Sequence, residues 1–213
     1  VCTLFFTCFA GLLVNPVVAV EPSNTELRSI QNWVRGHFNG ETIAPIHNGY
    51  LEVDLEHGSL LKNMATTKVY HKQLGALPLK IHRKTFEHGL YMASPGTIRV
   101  LLPSPARRFK AVFGIDSNRV TSFYSNAGRG AVVGSVVAGE KELYQSPVMS
   151  EGMTGQNVAV PLGDANFFDL IVRGKDEGII ERVDFNQADW ADAQVELTDG
   201  RTIRIGDLPT APL

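Results

Sequence analysis

An acidic run that contains a tryptophan lies near the end of the chain and holds side chains that could do chemistry. Residues 183–197 read VDFNQADWADAQVEL, with Asp184, Asp189, Trp190 and Asp192 close together. Two carboxylates facing each other across a sugar would support glycoside hydrolysis. A tryptophan ring beside fixed carboxylates would instead bind a sugar without cleaving it. The same residues could also serve a turn or a strand end, and their spacing alone leaves all three interpretations open.

Other signatures of catalysis or metal binding do not accompany this run. The six histidines lie in the first half of the chain, without an HExxH motif or an i, i+4 pair, and the two cysteines are Cys2 and Cys8. No GxSxG motif occurs, and Gly128, Gly130 and Gly134 do not follow GxGxxG spacing. The sequence therefore predicts no catalytic residues and no cofactor beyond a structural calcium ion, whose ligands the spacing does not identify.

Composition restricts the class of partner. The chain has 213 residues, a net charge of -2 and 44% hydrophobic residues, which describes one ordinary globular domain with a short addition. No basic excess is available to neutralise phosphates, so nucleic acid is not an expected partner.

The N-terminus differs from the rest of the chain. The first twenty residues carry no charged side chain, which predicts a signal peptide over 1–19 with cleavage between Ala19 and Val20. A membrane anchor is the alternative, although Asn15 and Pro16 favour a cleaved peptide. We expect a protein that is secreted, periplasmic or at the cell surface, with no stable membrane insertion after cleavage. The lack of cysteine beyond this segment is typical of bacterial export.

The remaining pattern predicts an all-β fold. Residues 20–49 form a predicted extension with a short helix, in which a capping-box pair precedes apolar residues at helical spacing: Ser23, Glu26, Leu27, Ile30, Val34 and Phe38. From residue 50 to 205, short β-rich runs alternate with turn residues, as in an antiparallel sandwich. The predicted strands include YLEVDL (50–55), GTIRVLLP (96–103), RFKAVFGI (108–115), QNVAVPL (156–162), FFDLIVRG (167–174) and RTIRI (201–205). Asp199 and Gly200 predict a tight hairpin between the last two strands. Residues 206–213 are predicted to begin a linker to a downstream domain.

Two separated stretches resemble one known family. Residues 86–118 contain a glycine-led turn at Gly89, a strand over 98–102 and an aromatic-x-A-x-x-G-hydrophobic-D strand, here Phe109, Ala111, Gly114, Ile115 and Asp116. Asp184 and the D-W-x-x-A run at 189–193 match the closing motif. In this order the motifs resemble the NPCBM domains, which are related to the family 51 carbohydrate-binding modules. The resemblance implies a galactose-binding-like β-sandwich (jelly roll) over 50–205. It also implies binding of galactose-type sugars and attachment to a glycoside hydrolase.

The resemblance and the local chemistry together give a set of predicted carbohydrate-binding residues: His88, Tyr91, Asp184, Asp189 and Trp190. Packing of Trp190 in the core is the alternative for that side chain, and capping of a turn or strand end is the alternative for Asp184. Ala93 and Ser94 stand where many family members carry a histidine-alanine pair. If that histidine contacts the sugar, binding in this chain is altered or lost.

The sequence thus predicts an exported, non-catalytic module that binds a galactose-type glycan and targets a hydrolase domain downstream. A sandwich that has lost sugar binding and serves a structural or interaction role is one alternative. Part of a glycoside hydrolase whose catalytic domain is absent from this sequence is another.

Overall fold

The computed structural model describes residues 48–55, 60–65, 68–69, 72–73, 77–118, 130–175 and 186–211. These residues belong to a compact unit that extends from Ile43 to Leu213. The predicted signal peptide and the predicted helix between 20 and 49 lie outside the described residues. Within them, no helix is long and apolar enough to cross a bilayer.

The described residues form antiparallel strands and one short 3₁₀ helix at Ile205–Asp207. The strands are β1 (Tyr50–Leu55), β2 (Leu61–Lys62), β3 (Lys68–Val69), β4 (Lys72–Gln73), β5 (Leu79–Ile81), β6 (Lys84–Phe86), β7 (Gly89–Ala93), β8 (Gly96–Ile115), β9 (Val132–Ala138), β10 (Lys141–Gln145), β11 (Gln156–Gly174), β12 (Gln187–Leu197) and β13 (Thr202–Arg204). The predicted all-β class is therefore confirmed.

One nine-stranded sheet carries most of the fold, in the order β10-β9-β11-β8-β12-β7-β2, with β1 beside β8 and β13 beside β12. The first part of β8 pairs with β1, whereas its last part pairs with β12. β11 runs along β8 over both parts and pairs with β9 only through its second part. The two parts of β8 and of β11 have different neighbouring strands. The sheet bends at the middles of these two long strands and so forms the two layers of a sandwich.

The bend explains why the sequence predicted two strands in each of two places where the structure has one. The runs 96–103 and 108–115 were expected as two strands, and so were 156–162 and 167–174, but each pair is one continuous strand. The register shifts between Pro161 and Ala165 and again before Phe167, and Gly163 and Asp164 there have φ of 60° and 62°. A bulge of this kind bends a strand without ending it.

The core lies between the two layers. Leu51, Val100 and Phe168 contribute from one half, and Phe109 and Trp190 from the other, all without exposed surface. A second apolar cluster lies on the outer face of the β7–β12 layer, under the β5–β6 hairpin: Ala65, Leu79, Ile81, Phe86, Tyr91 and Ala191. The hairpin therefore covers part of a sheet face that would otherwise contact water.

The chain after β12 forms the predicted hairpin, and its last described residues then contact β1. Leu197 and Arg201 are joined by a backbone hydrogen bond of 2.8 Å around Gly200, whose φ is 90°, so the predicted hairpin is present. Residues 206–211, which were expected to begin a linker, run back along β1. The Leu51 amide donates to the Pro209 carbonyl at 2.8 Å, and the Leu208 side chain is buried.

Candidate functional site

The two sequence motifs lie on adjacent strands. β12, which carries the D-W-x-x-A run, lies between β7 and the last part of β8. Trp190 stands opposite Leu90 on one side and opposite Phe113 on the other, and Asp189 stands opposite Tyr91 and Gly114. Because side chains alternate along a strand, Trp190 and Asp189 point to opposite faces of the same layer.

Trp190 points into the core and has no exposed surface. Its ring centroid lies 4.4 Å from that of Phe113 and 6.0 Å from that of Phe109. The indole N–H has no hydrogen-bond acceptor among the described residues. Trp190 therefore offers no ring face to a sugar in this structure, and its place is that of the core-packing alternative.

Tyr91 and Asp189 are also buried, on the opposite face of the layer. Tyr91 packs in the cluster under the β5–β6 hairpin and is 6% exposed. Asp189 is fully buried, and its Oδ2 accepts a hydrogen bond of 3.1 Å from the Lys80 amide of β5. Neither side chain reaches the surface that a soluble glycan would contact. Asp184 lies outside the described residues.

Burial strongly affects the Asp189 carboxyl. Loss of water around it, and then the charge of the nearby Asp116 carboxyl, raise its pKa well above the usual value for aspartate. The Lys80 amide opposes this shift only in part. Asp116 is itself fully buried and accepts a hydrogen bond of 2.8 Å from the Asn118 side chain, which also donates to the Pro78 carbonyl at 2.8 Å. These hydrogen bonds connect β5 and the residue before it to the end of β8 and the beginning of β12.

His88 is the one predicted contact residue of the described part that reaches the surface, and it lies in a polar cluster. We define the His88 cluster as Asn63, His88, Arg204 and Asp207. Arg204 Nη1 lies 3.0 Å from His88 Nε2, and Asp207 Oδ1 lies 3.9 Å from His88 Nδ1. The Asn63 side chain donates to Asp207 Oδ1 at 2.7 Å. Because a guanidinium can only donate, Nε2 of His88 accepts this hydrogen bond.

Unusual backbone geometry supports this cluster. Asn63, Gly89 and Asp192 have φ values of 56°, 136° and 48°. The Asn63 amide donates to the Gly89 carbonyl at 2.9 Å, and the Gly89 amide returns a hydrogen bond of 3.0 Å to Asn63 Oδ1. The Asp192 amide donates to the His88 carbonyl at 2.8 Å. Such conformations persist only where the surroundings hold them, and they concentrate at functional sites.

Sequence reasoning missed three members of the cluster. Asn63 lies in the run LKNM and Arg204 in a predicted strand, and Asp207 was assigned to a linker. No spacing rule joins them, because the side chains of Asn63 and Asp207 meet across 144 positions of the sequence. The left-handed backbone of Asn63 marks this position as unusual, but the sequence does not reveal that conformation.

The remaining predicted features are placed as follows. Ala93 is the last residue of β7 and Ser94 follows it, where the Ser94 amide donates to the Asn186 carbonyl at 2.8 Å. They are therefore at the opposite end of that strand from His88.

Across the described ranges, no three His, Asp, Glu or Cys side chains converge to hold a metal ion. The described residues therefore identify no ligands for the predicted calcium ion.

Known proteins are similar to this chain in sequence and in fold. The NPCBM/NEW2 domain family matches residues 47–196. A protein of Renibacterium salmoninarum named "Putative endo-alpha-N-acetylgalactosaminidase" is 33% identical over 119 residues, which cover 55% of this chain and 7% of that protein. This chain therefore corresponds to a small part of that relative.

Two solved structures show the same fold at low identity. The CBM51-2 and INT domains of Clostridium perfringens ZmpB match with a TM-score of 0.54 and 20% identity, over 67% of this chain and 29% of that one. The CBM51 of Clostridium perfringens GH95 in complex with methyl-galactose matches with a TM-score of 0.51 and 14% identity, over 67% and 91%. The galactose-binding-like sandwich expected from the sequence is thus confirmed. The chain belongs to the NPCBM/NEW2 domain family.

Proposed function

We propose that this chain is a non-catalytic carbohydrate-binding module that binds galactose-type sugars through the His88 cluster. The observation that carries the proposal is the convergence of four polar side chains from three separate parts of the chain on one surface, in a family whose fold is that of CBM51. Arg204 and Asp207 are exposed, and His88 is half-buried.

The cluster offers the mixture of hydrogen-bonding groups that a sugar needs. Arg204 supplies fixed donors, Asp207 supplies acceptors on a side chain that is 54% exposed, and Asn63 supplies an amide. Adjacent hydroxyl groups of a sugar both donate and accept, so a guanidinium beside a carboxylate can satisfy two of them at once. The mutual bonds within the cluster hold these groups in place before the ligand arrives, which reduces the entropy lost on binding.

The relatives support the ligand class and the wider role. One of the CBM51 structures contains methyl-galactose and another, of ZmpB CBM51-2, contains GlcNAc. The curated relative is named as a glycosidase and is far longer than this chain. We therefore extend the proposal to an exported protein in which this module holds a glycoside hydrolase domain near galactose-containing glycans.

Calorimetric titration with methyl-galactose and with GlcNAc tests the proposal. We expect millimolar or tighter binding of methyl-galactose by the unmodified protein, and a loss of at least tenfold in Arg204→Ala and His88→Ala. Arg173→Ala, which removes an exposed arginine from β11 of the other layer, is the matched control and should bind normally. Absence of binding to any sugar at millimolar concentration, with the fold intact by circular dichroism, would overturn the proposal.

One observation favours a second function, that of a structural or interaction sandwich without sugar binding. Trp190, Tyr91 and Asp189, which the sequence predicted to contact a sugar, are all buried. Among the described residues, Met153 is the large hydrophobic side chain that is substantially exposed, and it is not aromatic. A sugar at the His88 cluster would then lack an aromatic platform from these residues. The same titration separates the two functions, because the second predicts no binding by the unmodified protein.

A further inference from the structure

We propose that the glycan bound at the His88 cluster is acidic, and that its sulfate or carboxylate group lies on a neighbouring patch of basic side chains. We define the basic patch as Arg107, Arg108 and Lys110, in the second half of β8. The inference rests on the proposed function and deepens it, because it adds a charge to the ligand of the same site.

The basic patch and the His88 cluster share one face of the sheet. Residues that stand directly opposite each other on paired strands point to the same side. Arg204 of β13 stands opposite Gln194 of β12, and Gln194 stands opposite Lys110 of β8. The backbones of Arg204 and Lys110 are therefore two strand spacings apart, which is about 10 Å. A short oligosaccharide can span that distance and contact both groups.

A bulge in β8 brings a second arginine to this face. Arg108 stands opposite Glu196, and Ala106 stands opposite Leu197, so Arg107 is an extra residue on β8. A bulge re-aims the side chain that it inserts. Arg107 and Arg108 are both exposed, whereas a regular strand would turn one of two adjacent side chains toward the core.

Positive charge exceeds negative charge in the basic patch. The Lys110 ammonium donates a hydrogen bond to the Glu196 carboxylate. This hydrogen bond is the main cause that lowers the pKa of Glu196, and the charges of Arg108 and Arg107 lower it further. Among the described residues, neither arginine has a hydrogen-bond or ion-pair partner. Two guanidinium groups are thus available to an anion from solution.

The neighbouring strand leaves the basic patch open. Ala159 of β11 stands opposite Lys110, and Pro161 stands opposite Arg108. Both are exposed, short and uncharged, so they do not cover the guanidinium groups. At the other end of the face, the Asp207 carboxylate lies beside His88. The face therefore changes from mixed charge at the His88 cluster to net positive charge at β8, which suits a neutral sugar at one end and an anionic group at the other.

The size of the patch favours one anionic group over a long polyanion. A guanidinium is a planar fork of donors that holds an oxyanion through paired hydrogen bonds. Two such forks can bind one sulfate or carboxylate. A nucleic acid would need a longer run of cations, and the whole chain has a net charge of -2.

Calorimetric titration compares lactose with two acidic glycans, sialyllactose and lactose sulfated on its galactose. We expect the acidic glycans to bind the unmodified protein about fivefold more tightly or better in dilute buffer. The advantage should largely disappear in about 0.5 M salt, because salt screens exposed charges. Inorganic sulfate, titrated in the same way, measures how much of the affinity an anion has without a sugar.

Glutamine variants locate the anionic group. Arg107→Gln and Arg108→Gln remove a charge from the basic patch and keep a polar side chain. In the double variant, the ratio of the acidic to the neutral affinity should fall to about one. Arg173→Gln, at an exposed position of β11 in the other layer, is the matched control and should keep the ratio of the unmodified protein.

Each outcome bears on one of the two proposals. Equal affinities for lactose and for the acidic glycans would overturn this inference and leave the proposed function standing. An acidic advantage that persists in the double variant would also overturn it, because the anionic group would then bind elsewhere. Inorganic sulfate that binds as tightly as the sulfated glycan would show an anion site without a sugar. Acidic glycans that bind through the two arginines while neutral sugars do not bind would overturn the galactose proposal and keep the basic patch.

Discussion

Replacement of Trp190 distinguishes a core tryptophan from a sugar-binding one. Its ring is fully buried against Phe113 and Phe109, and its indole N–H has no acceptor in the described part of the chain. Two substitutions at this position should therefore have very different effects on stability. Trp190→Ala removes the whole ring, whereas Trp190→Phe keeps an aromatic ring and removes the N–H.

The two magnitudes follow from packing and desolvation. Trp190→Ala should lower the free energy of unfolding by about 3–5 kcal/mol, the usual cost of deleting a buried aromatic side chain. Trp190→Phe removes roughly three buried heavy atoms, at about 0.8 kcal/mol for each methylene-sized group, or about 2 kcal/mol. It also removes a buried donor that has no acceptor among the described residues, which relieves about 1–3 kcal/mol. These effects nearly cancel, so we expect Trp190→Phe to change stability by no more than about 1 kcal/mol.

Urea unfolding followed by circular dichroism gives the stabilities, and titration with methyl-galactose gives the binding. We expect Trp190→Phe to bind any ligand of the unmodified protein with the same affinity, because the ring contacts only the core. A tenfold loss of affinity in Trp190→Phe at unchanged stability would refute the core assignment. A stability loss as large as that of Trp190→Ala would instead show that the indole N–H is satisfied.

Three further predictions concern stability. Arg99 binds Asp169 through Nε and Nη2 at 2.8 and 2.9 Å, and both are largely buried, so Arg99→Ala should destabilise the fold by about 1–3 kcal/mol. The double variant with Asp169→Ala should recover part of that loss in a double-mutant cycle by urea unfolding. Gly89→Ala should destabilise by more than about 1 kcal/mol, because φ is 136° and a Cβ would overlap the backbone of β12; a melting temperature equal to that of the unmodified protein would contradict this. The Arg201 guanidinium holds the pKa of Asp199 well below its usual value, so the stability gained from this exposed pair is present at neutral pH and is lost as the pH falls. The destabilisation caused by Arg201→Ala in thermal melts should therefore shrink in acid, and a constant difference would count against it.

The sequence anticipated those parts of the fold that local chemistry decides. β1 was predicted with the bounds that the structure has, since its residues are rich in strand formers and turn residues border them. The hairpin at Asp199 and Gly200 was predicted because that dipeptide favours the turn. The strand breaks predicted near residue 104 and near residue 164 are absent, because a bend in a paired strand can hold prolines, glycines and bulges.

The candidate site was predictable only in part. His88 was identified beside Gly89, but its polar partners come from the other end of the chain, and only the tertiary fold brings them together. The sequence placed Trp190 and Asp189 in one sugar site, whereas their alternation along β12 turns them to opposite faces of the layer. It could not indicate which of those faces is covered, since the hairpin that buries Asp189 belongs to a distant segment.

By itself, then, the sequence determined the all-β class, the last hairpin and the membership of a sandwich family, because strand propensity, turn chemistry and motif order are local or serial properties. Tertiary structure decided that Trp190 belongs to the core, that Asp189 is buried near the Asp116 carboxyl and that the exposed polar cluster forms around His88. These outcomes depend on which strands become neighbours and which sheet faces are covered, and contacts between distant segments fix both.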